Sequence, residues 1–366
     1  MDNDEKKYIM MSIIIQGLKQ PGNDIDTYLQ LLVDELETLW TDGVKCWDAF
    51  GKEVFDLYAM LVQTIHDLPA FGNTSGQKTK GIVGCVTCMD QTASRYLTHS
   101  RKTVYMRHRR FLPKGHTYRK RKTQFDGTIE KDVAPRYKSG TAVFRMVKDL
   151  KIVLGKHKSM AKIDKDQVFK KKSVFWQLPY WQDLDVRHSI DVMHVEKNVC
   201  ESILGTLLKI KGKTKDGYKA RLDMQVIRPD SKIEPEKRGD DKWWLKLAMY
   251  NFTKQETIEV LEFLQSLKTP SSSQCANIRN LVDMPNKKLT GMKSHDCHIM
   301  LTQVLLIAIR NALPKDVRNT LIHLCDFFNK IWKKVIDPEE LDKLQENIIL
   351  TPVSYTHLTL PTTPYV

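Results

Sequence analysis

The chain has 366 residues and a mass of 42.5 kDa, enough for two or three domains with a sizeable core. Hydrophobic residues make up 41% and mean hydropathy is −0.41; this excludes disorder from end to end, and no apolar run approaches the roughly 20 residues of a membrane helix. Lys and Arg number 58 against 44 Asp and Glu, a net charge of +14, which favours polyanionic partners although a basic housekeeping enzyme carries a similar surplus.

The first residues, MDNDEKKYIMMSIII, are acidic rather than basic ahead of their apolar stretch and make a poor signal peptide. Seven cysteines at irregular spacings point to a reducing compartment rather than a disulfide framework. A helix is expected over 24–40, where Ile25, Tyr28, Leu29, Leu32, Leu36 and Leu39 recur at helical spacing behind Pro21 and Gly22. The apolar run 57–65 reads as a buried strand ending at His66-Asp67-Leu68-Pro69, where proline forbids further pairing.

Residues 70–173 change character. Gly72, Gly76, Gly81 and Gly84 lead into Cys85-x-x-Cys88 and then into a basic stretch. From Gln91 to Phe125 the chain has eleven Lys or Arg and no Asp or Glu. Aromatic residues Tyr96, Tyr105, Phe111, Tyr118 and Phe125 lie between Arg101, Lys102, Arg107, Arg109, Arg110, Arg119, Lys120, Arg121 and Lys122. Such a pattern suits DNA or RNA, with cations on phosphates and rings packing or stacking, and a solvated basic loop is the plainer alternative. Cys85 and Cys88 have thiolate spacing suited to zinc. His99 and His108 are the preferred completing ligands, with His116 a third candidate, and two free thiols with solvated histidines are the alternative.

Core-like sequence returns at 174–228, with VFWQLPYW and a strong helix over about 191–209. On a helical wheel Asp191, His194, Asn198, Glu201 and Ser202 share a polar face, while Met193, Val199, Cys200, Ile203, Leu204 and Leu207 share the opposite one. Glu196 falls in the middle of the apolar face. A lone carboxylate there costs several kcal/mol unless protonated, paired or bound to metal. A Glu paired with a buried Arg or Lys is the bland alternative to a metal-ligating acid. Asp67 offers such an acid a partner, since it lies at a strand's end, where active-site groups of α/β sheets collect; an ordinary turn cap is the alternative. Two such acids can hold Mg²⁺, and a third is normally needed for two ions.

A polar linker is expected at 229–242, then helix-like segments near 243–267 and 295–347 in a helical domain, 243–351. Residues 293–298, KSHDCH, place two histidines and a cysteine within one turn; a helix start capped by Ser294 or Asp296 is favoured over metal binding. The uncharged end PVSYTHLTLPTTPYV, 352–366, resembles translated adapter or vector sequence and is set aside from fold reasoning.

Several blocks, in order, resemble the transposases of plant CACTA (En/Spm-type) DNA transposons: KQPGNDIDTYLQLLVDEL (19–36), TIHDLPAFGNTSG (64–76), CVTC (85–88), RKTVYMRHRRFLP (101–113), FWQLPYW (175–181), RHSIDVMHVEKNVCESILGTLL (187–208) and GKTKDGYKARLDM (212–224). The stretch 289–314 resembles the helical domain of unknown function that follows in these elements. The resemblance implies an α/β (α+β) chain with an RNase H-like DDE core, 8–69 and 174–228, interrupted by the Cys/His-bearing basic insertion 70–173. It implies Asp67 as the second catalytic acid, Glu196 as the third, Cys85 and Cys88 as the zinc-type pair, catalytic Mg²⁺, structural Zn²⁺, transposon-end DNA as partner, and the nucleus; self-association is a further expectation, and the lack of a long apolar run gives the expectation of no membrane partner. The family's first Asp lies in an Asp-Gly-Phe-Asn-Pro block, which this sequence lacks. Asp24 and Asp26 sit in the helix-start segment and do not replace it. The expectation is a truncated copy, inactive in strand transfer, or a non-catalytic DNA-binding or interaction protein derived from such an element.

Overall fold

A computed structural model describes residues 9–17, 20–152, 154, 164–229, 233–239, 243–268 and 278–358. In chain order they form α1 (Ile25–Thr41), β1 (Val44–Asp48), β2 (Glu53–Leu57), β3 (Thr64–His66), α2 (Leu68–Thr74), β4 (Ser94–Leu97), β5 (Lys102–Tyr105), α3 (Thr117–Lys120), α4 (Gly140–Val147), β6 (His188–Ile190), α5 (Val192–Leu207), α6 (Tyr218–Ile227), β7 (Pro235–Lys237), β8 (Trp243–Leu245), α7 (Lys254–Ser266), β9 (Val282–Asp283), β10 (Lys288–Leu289), α8 (Ser294–Ile299), α9 (Leu305–Ala308), α10 (Lys315–Ile331) and α11 (Pro338–Leu358). This mixed content agrees with an α+β chain. Among the described residues the strands pair two at a time, and β3–β6 is the parallel pair.

The chain divides into two compact units, residues 1–92 with 136–191, and residues 93–135 with 192–366. The insertion expected at 70–173 is therefore shared between them. Its middle goes to the second unit because the β4–β5 hairpin buries Leu97 and Val104 against Ile227. Its flanks stay in the first unit, where Gln77 bridges Phe169 and Lys170 N–H donates to the Gly76 carbonyl at 2.7 Å. Gly76 has φ +78°, and a Cβ there would collide with the Lys171 carbonyl, so only glycine fits this approach.

In the first unit α1 forms over almost the expected span and buries Val33 against Phe175, Leu178 and Trp181 of the FWQLPYW segment. The run expected as one strand over 57–65 is instead broken: β2 ends at Leu57 and β3 starts at Thr64. Val62 and Ile65 are more than half exposed, because β3 has β6 on one side and no strand on the other among the described residues. Asp26, fully buried at the start of α1, pairs with Lys171 Nζ at 2.8 Å; burial raises its pKa while Lys171 pulls it down. Lys171 Nζ also donates to the Asn23 carbonyl at 2.8 Å, so one cation ties the helix start to the Gly76 loop.

The second unit is mainly helical. Leu204 and Leu207 of α5, Leu261 and Leu264 of α7, Met300 and Leu301 of the turn after α8, Leu305 of α9 and Cys325 of α10 form one continuous core. The expected segment 243–267 begins as β8 and becomes helical only from Lys254, where Thr253 caps α7 in a capping box with Glu256. The expected linker 229–242 contains β7, which pairs with β8; residues 230–232 and 240–242 lie outside the described ones. α11 runs into the segment set aside above, with Val353 buried against Leu112 and Phe125; residues 359–366 lie outside the described ones.

Removing the cation of the buried pair leaves Asp26 uncompensated. Lys171→Met is expected to cost about 3–5 kcal/mol in urea denaturation, and the double variant Asp26→Asn/Lys171→Met to recover most of it.

Candidate functional site

The first unit presents two aspartates at one sheet end. β3 and β6 run parallel in the register Thr64↔His188, Ile65↔Ser189 and His66↔Ile190, so Asp67 and Asp191 are the next residue on each strand. The Asp191 N–H donates to the His66 carbonyl at 2.7 Å, which extends the ladder to the acids. Parallel neighbours lie about 5 Å apart, and this is the carboxyl end of both strands, the edge at which open α/β sheets bind ligands. Proline at position 69 sets where the strand stops and α2 starts. Asp67 is the N-cap of α2, and its Oδ1 accepts from the Ala70 N–H at 2.8 Å. Its other oxygen has no partner among the described residues, so the turn-cap role and a cation-binding role are compatible. The helical wheel places Asp191 on a polar helix face; the neighbourhood of Asp67 emerges only because HSI (188–190) is a strand paired with β3.

Behind the acids the pair is rigidly packed. His188 Nδ1 and the Thr64 hydroxyl lie 2.6 Å apart, and Phe71, Phe175 and Trp181 surround the imidazole. Burial, with His66 and Arg187 nearby, pushes the His188 pKa down to about 3, so the ring is neutral at pH 7. Burial also lowers the His66 pKa against the opposing pull of Asp67. Gln63 and Ser189 side chains hydrogen-bond across the same strands.

Glu196 belongs to the second unit. It is fully buried on α5 with Cys200, Ile203, Leu204 and Leu207, the face on which the wheel put it, although Met193 is 44% exposed. Its carboxylate is not alone: His298 Nδ1 lies 3.1 Å from both oxygens, and the Trp332 indole N–H donates to Oε2 at 3.0 Å. The partner is thus a histidine and an indole, not the Arg or Lys of the bland reading. His298 arrives on α8, where Asp296 accepts from the Lys293 N–H at 2.7 Å, so the segment 293–298 starts a helix as favoured.

The Cys pair lies in the first unit. Cys88 N–H points to Cys85 Sγ at 3.4 Å, and Cys88 is buried. The histidines expected to complete a zinc site lie in the second unit and are otherwise placed. His99 sits where the Asp223 carboxylate receives its backbone N–H, burial lowers the His108 pKa, and His116 Nδ1 accepts the Tyr118 N–H. Among the described residues no group of three or more His, Cys, Asp or Glu side chains is assembled to hold a metal. Two thiols supply half of a tetrahedral zinc site.

The basic stretch needs correction residue by residue. Arg109 and Arg119 are each 3% exposed and Arg110 8%. Arg109 pairs with Asp126 at 2.7 Å, donates to the carbonyls of Arg121 and Thr128, and lies over the Phe125 ring. Arg119 donates to the carbonyls of Arg109, Arg110 and Leu112, each at 3.1 Å. Arg107 pairs with Glu130 at 2.6 Å and Asp132 at 2.7 Å, and Lys102 is half-buried. Arg107, Arg109 and Arg119 hold the loop together instead of facing a polyanion. Arg101, Lys120, Arg121 and Lys122 are the members of the set that remain exposed.

With this geometry in view, comparison with known proteins gives one result. Residues 3–150 match the family model described as "Transposase family tnp2", less than half of the chain, and the match supports a transposase-derived protein. Asp67, Cys85, Cys88 and the basic stretch fall inside the matched segment; Asp191 and Glu196 fall beyond it. No curated protein and no solved structure matches the chain.

The Glu196 cluster makes a stability prediction. Trp332→Phe removes one donor to a buried carboxylate and is expected to cost about 1–3 kcal/mol in chemical denaturation. Adding Glu196→Gln should reduce that cost, because a neutral amide needs the donor less.

Proposed function

We propose that this chain derives from a DDE-type DNA transposase of the plant CACTA (En/Spm) kind, working on DNA in the nucleus through a divalent cation. The observation that carries the reading is the side-by-side exit of Asp67 and Asp191 from parallel strands, with Asp67 inside the matched family segment. Mg²⁺ is commonly held by one or two carboxylates together with substrate phosphates and water, and Asp67 and Asp191 are the residues fitted to that task. When bound, such an ion would supply Lewis-acid stabilisation of a phosphoryl centre and a more acidic attacking hydroxyl. The chain's own part is positional. The Ala70 N–H fixes one Asp67 oxygen, the strand register fixes the spacing of the two acids, and neutral His188 behind them adds no competing positive charge. Glu196, the family's third acid by resemblance, is held in the second unit by His298 and Trp332.

A second reading, a non-catalytic DNA-binding protein of the same origin, is favoured by one observation. Both Glu196 oxygens are already engaged and the side chain is 1% exposed. The Asp-Gly-Phe-Asn-Pro block also does not occur in these 366 residues, so strand transfer by this polypeptide alone is not expected under either reading.

Mn²⁺ binding followed by electron paramagnetic resonance separates them. The catalytic-core reading expects Asp67→Asn and Asp191→Asn each to weaken Mn²⁺ at least tenfold while gel-shift binding to duplex DNA is unchanged. Mn²⁺ affinity that is indifferent to both substitutions overturns it in favour of the second reading.

A further inference from the structure

The inward turn of Arg107, Arg109 and Arg119 leaves the loop's outward cations at a second feature of the second unit. A cavity of about 330 Å³ lies where the basic loop meets α10 and α11, lined by His116, Thr117, Tyr118 and Arg121 from the loop, His323 from α10 and Asn347 from α11 among others. No Asp or Glu lines it among the described residues. Its volume lies at the lower end of the range for small-molecule sites and admits a nucleotide unit.

The donors are held in place by the protein. The Arg121 guanidinium stands 4.8 Å over the Tyr118 ring and gives Nη1 to Gln124 Oε1 at 3.0 Å. Its Nε and Nη2 have no protein partner among the described residues. His116 Nδ1 accepts the Tyr118 N–H at 3.1 Å, so a neutral ring carries its proton on Nε2 and is a hydrogen-bond donor there. Tyr118 itself is fixed by the Phe125 ring, edge-on at 5.9 Å. His323 and the Asn347 amide add donors from the helices, and exposed Lys120 and Lys122 flank Arg121 in sequence. A guanidinium, imidazoles and an amide lining one cavity without a carboxylate suit a phosphate group, which accepts several hydrogen bonds and carries negative charge.

We propose that this cavity binds a phosphate of a DNA strand, with Arg121 and His323 as its principal contacts. The proposal rests on the DNA-binding part of the reading above and is independent of Asp67, Asp191 and any metal. A free mononucleotide carries the same chemistry, so the test includes both sources.

Fluorescence anisotropy of a labelled 20-nucleotide DNA, single-stranded and duplex, would be titrated at several salt concentrations, with dAMP and inorganic phosphate as competitors. Arg121 and His323 are both exposed, so Arg121→Gln and His323→Ala should leave the thermal unfolding profile intact. Each is expected to weaken DNA about three- to tenfold, and Arg121→Gln to lower the salt slope by about one. DNA affinity and salt slope in the double variant within twofold of the parent overturn the pocket while leaving DNA binding elsewhere standing. Absence of DNA binding by the parent, with dAMP binding lost in the double variant, keeps the pocket and removes the DNA reading. Binding of neither DNA nor dAMP nor phosphate overturns the proposal.

Discussion

The cation site proposed for the first unit depends on one backbone arrangement, the parallel pairing of β3 with β6. Those strands are three residues each and lie more than a hundred residues apart in the chain, so few ladder bonds must hold a long loop closed. The packing behind them answers this. His188 is enclosed by Phe71, Phe175 and Trp181, and the α1 face seals the same aromatic segment from the other side. The buried Asp26–Lys171 pair pins the start of α1 to the strand-like crossing at Gly76. The register leaves Asp67 and Asp191 as the next residue on each strand, and the proposed cation site is built on that placement.

The second unit handles a buried acid differently. Glu196 sits inside a helical core, and the charge is met by an imidazole and an indole brought from α8 and just beyond α10. A carboxylate so enclosed joins three helices and is costly to strip of any one partner. That arrangement serves positioning of an acid and packing of a core equally well. For this reason the strand-end aspartates, and not Glu196, carry the functional reading.

Sequence legibility followed the range of the interactions. α1 and α5 were visible because helical periodicity is local, and Asp67 was visible because proline two residues on marks where a strand must stop. The run 57–65 misled because apolar content alone does not tell a strand from an irregular segment whose Val62 and Ile65 face outward. Asp191 was overlooked because only the cross-chain register makes it a neighbour of Asp67. The basic stretch misled for a similar reason. Its window closed at Phe125, one residue before Asp126 and five before Glu130, the acids that take up Arg109 and Arg107. A charge run is a surface signal only when its counter-charges are absent from the folded neighbourhood, and here they follow immediately in the chain.

The central proposal is that Asp67 and Asp191, set side by side by the strand register, form a cation site. The most direct measurement is anomalous scattering at the manganese edge from crystals grown with Mn²⁺. The account predicts a peak within coordination distance, about 2.1–2.3 Å, of oxygens from both side chains. Manganese bound elsewhere with these two carboxylates bare, or strands that do not bring the two side chains together, would contradict it.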